Sequence, residues 1–108
     1  MMKDNGFTDY IVYDILGHVQ NITTKKLFYS KDIYLDGKIV AFVADGELYF
    51  KSDKNLVEKY LALGCHQFTY TKGDKTIAMN YVSATEEMIE NREIMSDRLN
   101  ESYEIGFK

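Results

Sequence analysis

The sequence predicts an α+β fold of two layers: an antiparallel sheet, made of a meander plus a hairpin, packed with helices in the order α-β-β-β-β-α-β-β-α. Three observations carry this expectation. Asp36-Gly37 and Asp45-Gly46 sit between runs of β-branched and aromatic residues, which is a strong short-range hairpin signal. Gly73-Asp74 separates two further alternating runs. Amphipathic stretches with capping and stop residues precede, divide and follow these strands. The 108 residues make a single domain, 1–108, and 45% hydrophobic residues give enough apolar mass for a core without disulfide or metal staples.

In chain order, Thr8 or Asp9 is placed to cap a first helix with apolar positions Ile11, Val12, Ile15 and Leu16 and with Gly17 as its stop. A polar link leads to a strand over residues 22–29. Residues 33–35, 38–44 and 47–51 follow as a three-stranded meander joined by the two Asp-Gly turns. Ser52 or Asp53 caps a second helix, with Leu56, Val57, Tyr60 and Leu61 on one stripe and Gly64 closing it. Residues 66–72 and 75–82 form the last hairpin. Ser83-x-x-Glu86 has the capping-box pattern and opens a helical C-terminus in which Met88, Met95 and Leu99 lie on one side. Proline, which would interrupt these elements, is absent.

Turn position fixes register, and register fixes faces. Around Asp45-Gly46, Ala44 faces Glu47, Val43 faces Leu48, Phe42 faces Tyr49 and Ala41 faces Phe50. Around Asp36-Gly37, Tyr34 faces Ile39 and Ile33 faces Val40. One side of the meander then carries Ile39, Ala41, Val43, Leu48 and Phe50, and the other Ile33, Leu35, Val40, Phe42, Ala44 and Tyr49. In the last hairpin Phe68, Tyr70, Ile77, Met79 and Tyr81 share a face, opposite a polar set of Gln67, Thr69, Thr71, Thr76, Ala78 and Asn80. The first two helices are expected over the Ile39 to Phe50 side, continued by Phe68, Tyr70, Ile77 and Met79. The tail helix has only a thin apolar stripe. Leu35, Val40, Phe42 and Tyr49 are therefore expected either beneath that tail or at an interface with a partner or a second copy, as in a homodimer.

The net charge of −4 is unevenly distributed. Residues 1–83 carry ten lysines against ten acidic residues, whereas residues 84–108 carry seven acidic residues against Arg92, Arg98 and Lys108. A neutral body with an acidic end disfavours autonomous, sequence-specific binding to duplex DNA, which needs a basic face. One cysteine, Cys65, excludes an intrachain disulfide and agrees with a reducing, cytoplasmic setting. The N-terminus lacks an apolar h-region, and the longest apolar run, residues 39–44, is too short for a membrane span.

The chemistry-bearing motifs are few. Cys65-His66 is the one Cys/His pair and His18 the other histidine, too few ligands for a metal site. Adjacent residues on a strand point to opposite sides, so Cys65 and His66 are read as a small core residue and a strand start. A small enzyme or ligand-binding protein with a cleft near Cys65 and His66 stands as the alternative. No glycine-rich phosphate loop and no G-x-S-x-G nucleophile signature occurs, so neither a cofactor nor a catalytic residue is expected. Lys25, Lys26 and Lys31, with Phe28 and Tyr29 between them, form the one basic and aromatic patch. It reads as a contact for phosphate or an acidic surface, or as an edge strand guarded by lysines.

Several stretches resemble the N-terminal domain of the TfoX/Sxy family of competence regulators. They are Ile22-Thr23-Thr24-Lys25-Lys26-Leu27-Phe28, then Ile33-Tyr34-Leu35-Asp36-Gly37, then Ile39-Val40-Ala41-Phe42-Val43-Ala44-Asp45-Gly46-Glu47-Leu48-Tyr49-Phe50-Lys51. The similarity continues through Phe68-Thr69-Tyr70, Ala78-Met79-Asn80-Tyr81 and Glu86-Glu87. Tyr29-Ser30 stands where the family usually has Gly-Gly, Asp32 where another glycine is common, and Thr85 where a proline is frequent. The resemblance implies a two-layer α+β fold and a non-catalytic regulatory or interaction module. It further implies a part in transcriptional regulation of DNA uptake, acting through protein partners such as a cyclic-AMP receptor protein.

Overall fold

The computed structural model describes residues 6–105. Its sheet has six strands, all antiparallel, in the spatial order β1-β2-β3-β4-β6-β5: β1 Ile22–Lys26, β2 Lys31–Leu35, β3 Lys38–Ala44, β4 Glu47–Lys51, β5 Gln67–Lys72 and β6 Lys75–Ser83. Helix α1 (Phe7–Asp9) runs into a π-helical segment, Tyr10–Ile15. Helix α2 is Lys54–Ala62, and the C-terminal region divides into α3 (Glu86–Ile89) and α4 (Arg92–Ile105). The expected element order holds, with the tail split in two.

The N-terminal helix differs from expectation at its start and in its pitch. Thr8 and Asp9 lie inside it, while Gly6 occupies the N-cap position at φ 88°. Leu16 N–H donates to Ile11 O at 2.8 Å, a five-residue step. The wider turn brings Ile11 and Leu16 to the same side, and both are fully buried. Gly17 is required by close approach: a Cβ there would lie 2.2 Å from Tyr13 O. Gly17→Ala is expected to lower stability by about 1–3 kcal/mol, read as a fall in the urea midpoint with an unchanged slope.

The meander follows its predicted register with one exception. Ala44 pairs with Glu47, Val43 with Leu48, Phe42 with Tyr49 and Ala41 with Phe50. Tyr34 pairs with Ile39, but a bulge follows, so Ile33 pairs with Ala41 and not with Val40. Two residues of β3 then oppose one of β2, which turns Val40 to the same side as Ala41. Ile33, Leu35 and Val40 accordingly pack in one cluster with Ala41, Val43, Leu48 and Phe50, beneath Val57 and Tyr60 of α2 and Met95 and Leu99 of α4.

The last hairpin keeps its predicted alternation near the turn, with Tyr70 against Ile77 and Thr71 against Thr76, but its register shifts between Gln67 and Thr69, so Gln67 pairs with Val82. It joins the sheet, however, through β4 and β6, with Tyr49 opposite Ser83 and Phe50 opposite Val82. Its ring face therefore continues the Phe42 and Tyr49 side, not the side of Ala41 and Phe50. The predicted division of apolar residues between the two faces is corrected by this junction and by the bulge together. The tail helix, despite its thin apolar stripe, packs against β3 and β4 on the core side, in one cluster with Leu35 and Val40 but not with Phe42 and Tyr49, so the expectation of a tail cover holds for two of the four residues.

The caps show why α2, α3 and α4 begin where they do. Asp53 Oδ1 accepts the Leu56 N–H at 2.9 Å, Thr85 Oγ1 that of Met88 at 3.3 Å, and Asn91 Oδ1 that of Ile94 at 3.1 Å. Ser83, expected to cap the tail, is instead the last residue of β6, and its hydroxyl accepts the His66 N–H at 3.0 Å. Gly64, at φ 96°, closes α2 while Cys65 N–H donates back to Tyr60 O at 3.0 Å.

Candidate functional site

Phe42 and Tyr49, two of the residues expected at an interface, lie on the sheet face opposite the helices, within a cluster of rings. Phe42 stacks on Tyr49 at 5.4 Å and meets Phe68 at 5.0 Å and Tyr81 at 4.7 Å. Phe68 also meets Tyr49 at 5.0 Å. The hairpin's own rings thus cover Phe42 and Tyr49, which are 8% and 7% exposed. Leu35 and Val40, the other two, belong to the core under the helices. The four residues do not form one surface. Burial raises the Tyr49 hydroxyl above its ordinary pKa, with Glu47 and Asp45 adding to it, and burial likewise raises Tyr81 beside Asp32.

Cys65 and His66 precede β5, which starts at Gln67 and not at His66 as expected, and their side chains part. Cys65 points into the core, its Sγ 3.7 Å from Met88 Sδ. His66 faces outward beside a cavity of about 340 Å³ lined by Glu47, Ser83 and Glu86. Its Nε2 lies 3.1 Å from Tyr49 Oη and 3.2 Å from Glu47 Oε2, and its Nδ1 is 3.3 Å from Ser83 Oγ. This is a serine, histidine and carboxylate in contact. Yet Ser83 is buried and already accepts the His66 backbone N–H. A hydroxyl held so presents no nucleophile to solvent, and the contacts tie β5 to β4 and β6. Among the described residues no group of three or more His, Cys, Asp or Glu side chains could hold a metal ion. No helix among them is long and apolar enough to cross a membrane.

Among the described residues two charged side chains, Asp32 and Arg98, are buried, a burial that the sequence pattern does not announce. Arg98, 1% exposed, donates from Nη1 to Ser83 O at 2.6 Å and from Nη2 to Val82 O at 3.1 Å. Its guanidinium lies 3.8 Å from the Tyr60 ring centre and 4.7 Å from that of Phe50. Burial pushes its pKa down, while Cys65, Tyr60 and Glu101 act in the other direction. Tyr60 Oη donates to Glu101 Oε1 at 2.5 Å, and its pKa is raised by burial and then by that bond. Arg98 is thus a clamp between α4 and the end of β6, sealed from any ligand.

The exposed chemistry lies at the β1–β2 turn. β1 is an edge strand, solvent-exposed from Thr23 to Lys26. Leu27 N–H donates to Ser30 O at 2.7 Å and closes the loop, and Ser30 Oγ donates to Asp32 Oδ1 at 2.9 Å. No residue of this loop has a positive φ, so Tyr29-Ser30 takes the place of the family's Gly-Gly without strain. Phe28 and Tyr29 meet edge to face at 4.5 Å and are 85% and 84% exposed. Lys25 and Lys26 are exposed beside them, and Lys31 is half-buried. The three lysines and two rings of the sequence motif are therefore brought together on one projecting tip.

Compared with curated proteins, the chain matches none. A family model described as the TfoX N-terminal domain matches residues 14–105, which takes in the whole sheet, α2, α3 and α4. Meander, bulge, last hairpin and split tail thus all lie inside the matched region, and the chain belongs to the TfoX N-terminal domain family.

Proposed function

We propose that this protein is a non-catalytic regulatory module that acts in the cytoplasm by docking on a protein partner through its β1–β2 tip. The observation that carries the reading is the exposure of Phe28 and Tyr29 on a closed turn flanked by Lys25, Lys26 and Lys31. Two rings left in water at one point of an edge hairpin form an anchor of the kind that concentrates binding energy in protein interfaces. The lysines favour an acidic partner surface and speed encounter with it. Membership of the TfoX N-terminal domain family supports the regulatory class. Within that class the partner is a transcription regulator of the cyclic-AMP receptor type, and the process is DNA uptake.

The test is a calorimetric titration of the purified cyclic-AMP receptor protein, with and without cyclic AMP, against the wild-type chain and a Phe28→Ser/Tyr29→Ser variant. Loss of two anchor rings should weaken binding by about a hundredfold while the melting temperature stays unchanged, because neither ring is in the core. His66→Ala, which alters the alternative cleft, should leave the affinity unchanged. Binding that survives the double substitution, or that disappears with His66→Ala, rejects the tip as the docking element.

A further inference from the structure

We infer that the groove between α2 and α4 is a second docking site, one that takes a basic amphipathic helix from a partner protein. The groove encloses about 750 Å³, with Leu56 and Leu63 on the α2 side and Ile94 and Ile105 on the α4 side. Leu63 is 57% exposed, so part of this apolar lining stands in water. Along the α4 wall Asp97, Glu101 and Glu104 also line the groove. Their spacing of four and then three residues sets them in one row on the helix. Asp53 adds a further carboxylate at the start of α2, and Lys59 is the one cation lining the groove among the described residues. Lys59 is already engaged, its Nζ 2.9 Å from Glu101 Oε2.

Asp97 and Glu104 have no ion-pair partner among the described residues, and both are exposed. Arg98, the basic residue between them, is turned inward and does not offset them. Three of the seven acidic residues of the tail therefore line this groove, beside an apolar floor.

That pairing of surfaces selects its occupant. The groove walls are helices, whose backbone groups are bonded internally, so an incoming strand would find no edge to pair with. An incoming helix needs only an apolar stripe for the floor and cations for the rim. The row from Asp97 to Glu104 is about 10 Å long at 1.5 Å per residue, which matches about two turns of the partner. The Lys25, Lys26 and Lys31 cluster of a second copy would not serve, since it lies on a β-hairpin.

The experiment uses two synthetic peptides with one leucine stripe, one flanked by lysines and the other by glutamates, titrated into the isotopically labelled full chain. The lysine peptide should bind with micromolar affinity and the glutamate peptide about tenfold or more weakly. Amide shifts should concentrate at Leu56, Leu63, Ile94 and Ile105. Asp97→Lys/Glu104→Lys, both at exposed positions, should keep the melting curve and reverse the order of the two peptides. Phe28→Ser/Tyr29→Ser should leave peptide binding intact, which separates this site from the tip. Equal binding of the two peptides, no binding at millimolar concentration, shifts centred elsewhere, or an order unchanged by the double substitution would each overturn the inference.

Discussion

Arg98→Ala should destabilise the protein by about 4 kcal/mol, a large share of the 5–15 kcal/mol that typically holds a domain together. Two losses combine. Truncation leaves the Ser83 and Val82 carbonyls without the donors that reach them at 2.6 and 3.1 Å. It also opens a cavity against the rings of Tyr60 and Phe50, which the guanidinium now fills. Arg98→Met separates the two effects. It restores most of the volume beside the soft sulfurs of Cys65 and Met88 and removes a buried charge whose Nε has no partner. The methionine variant should therefore lose about half as much or less. Urea unfolding of both variants measures this, and equal losses would mean that the hydrogen bonds outweigh the packing.

The same residue explains what was and was not legible in the sequence. Met95 and Leu99 are readable as core on apolar spacing alone, and both are buried. With only these two apolar positions the tail helix looks too thin to cover a sheet. The buried stripe is Met95, Arg98, Leu99 and Ser102, a complete helical face with two polar members. Each polar member meets a strand carbonyl: Arg98 those of Ser83 and Val82, and Ser102 that of Lys51 at 2.8 Å. A hydropathy pattern cannot register residues that become core by matching a particular backbone carbonyl, because that carbonyl comes from another element.

Strand pairing divides along the same line. The Asp45-Gly46 turn sets its register locally throughout, and the Gly73-Asp74 turn does so as far as Thr69 against Ala78, beyond which the register shifts and Gln67 meets Val82. The bulge beyond Asp36-Gly37 and the β4–β6 pairing are not local. Val40 is turned inward by the bulge, into a core that α2 and α4 complete. The β4–β6 register depends on where the long hairpin lands, and it decided which face received the rings of Phe68 and Tyr81. The tip, by contrast, was visible in the sequence as lysines around two rings. What the sequence lacked was their exposure, which follows from β1 being an edge strand.

Phe42→Asp should unfold the protein. Phe42 contacts Tyr49, Phe68 and Tyr81 on the face away from the helices, and those rings belong to its own chain. Removing the ring forfeits about 3–5 kcal/mol of packing. The new carboxylate would also be buried opposite Asp32, itself 7% exposed, and must either lose its hydration or take up a proton. The two effects together reach the whole stability of an ordinary domain. Phe42→Leu keeps an apolar side chain there and should remain folded, with a loss of about 1–2 kcal/mol. Circular dichroism in the near and far ultraviolet reports the fold, and light scattering reports the mass of whatever stays soluble. If Phe42 were instead the centre of a contact between copies, the aspartate variant would be a folded monomer with native circular dichroism and half the wild-type mass. That outcome would remove the ring cluster from the core of the single chain, and with it the assignment of Phe68 and Tyr81 as its cover.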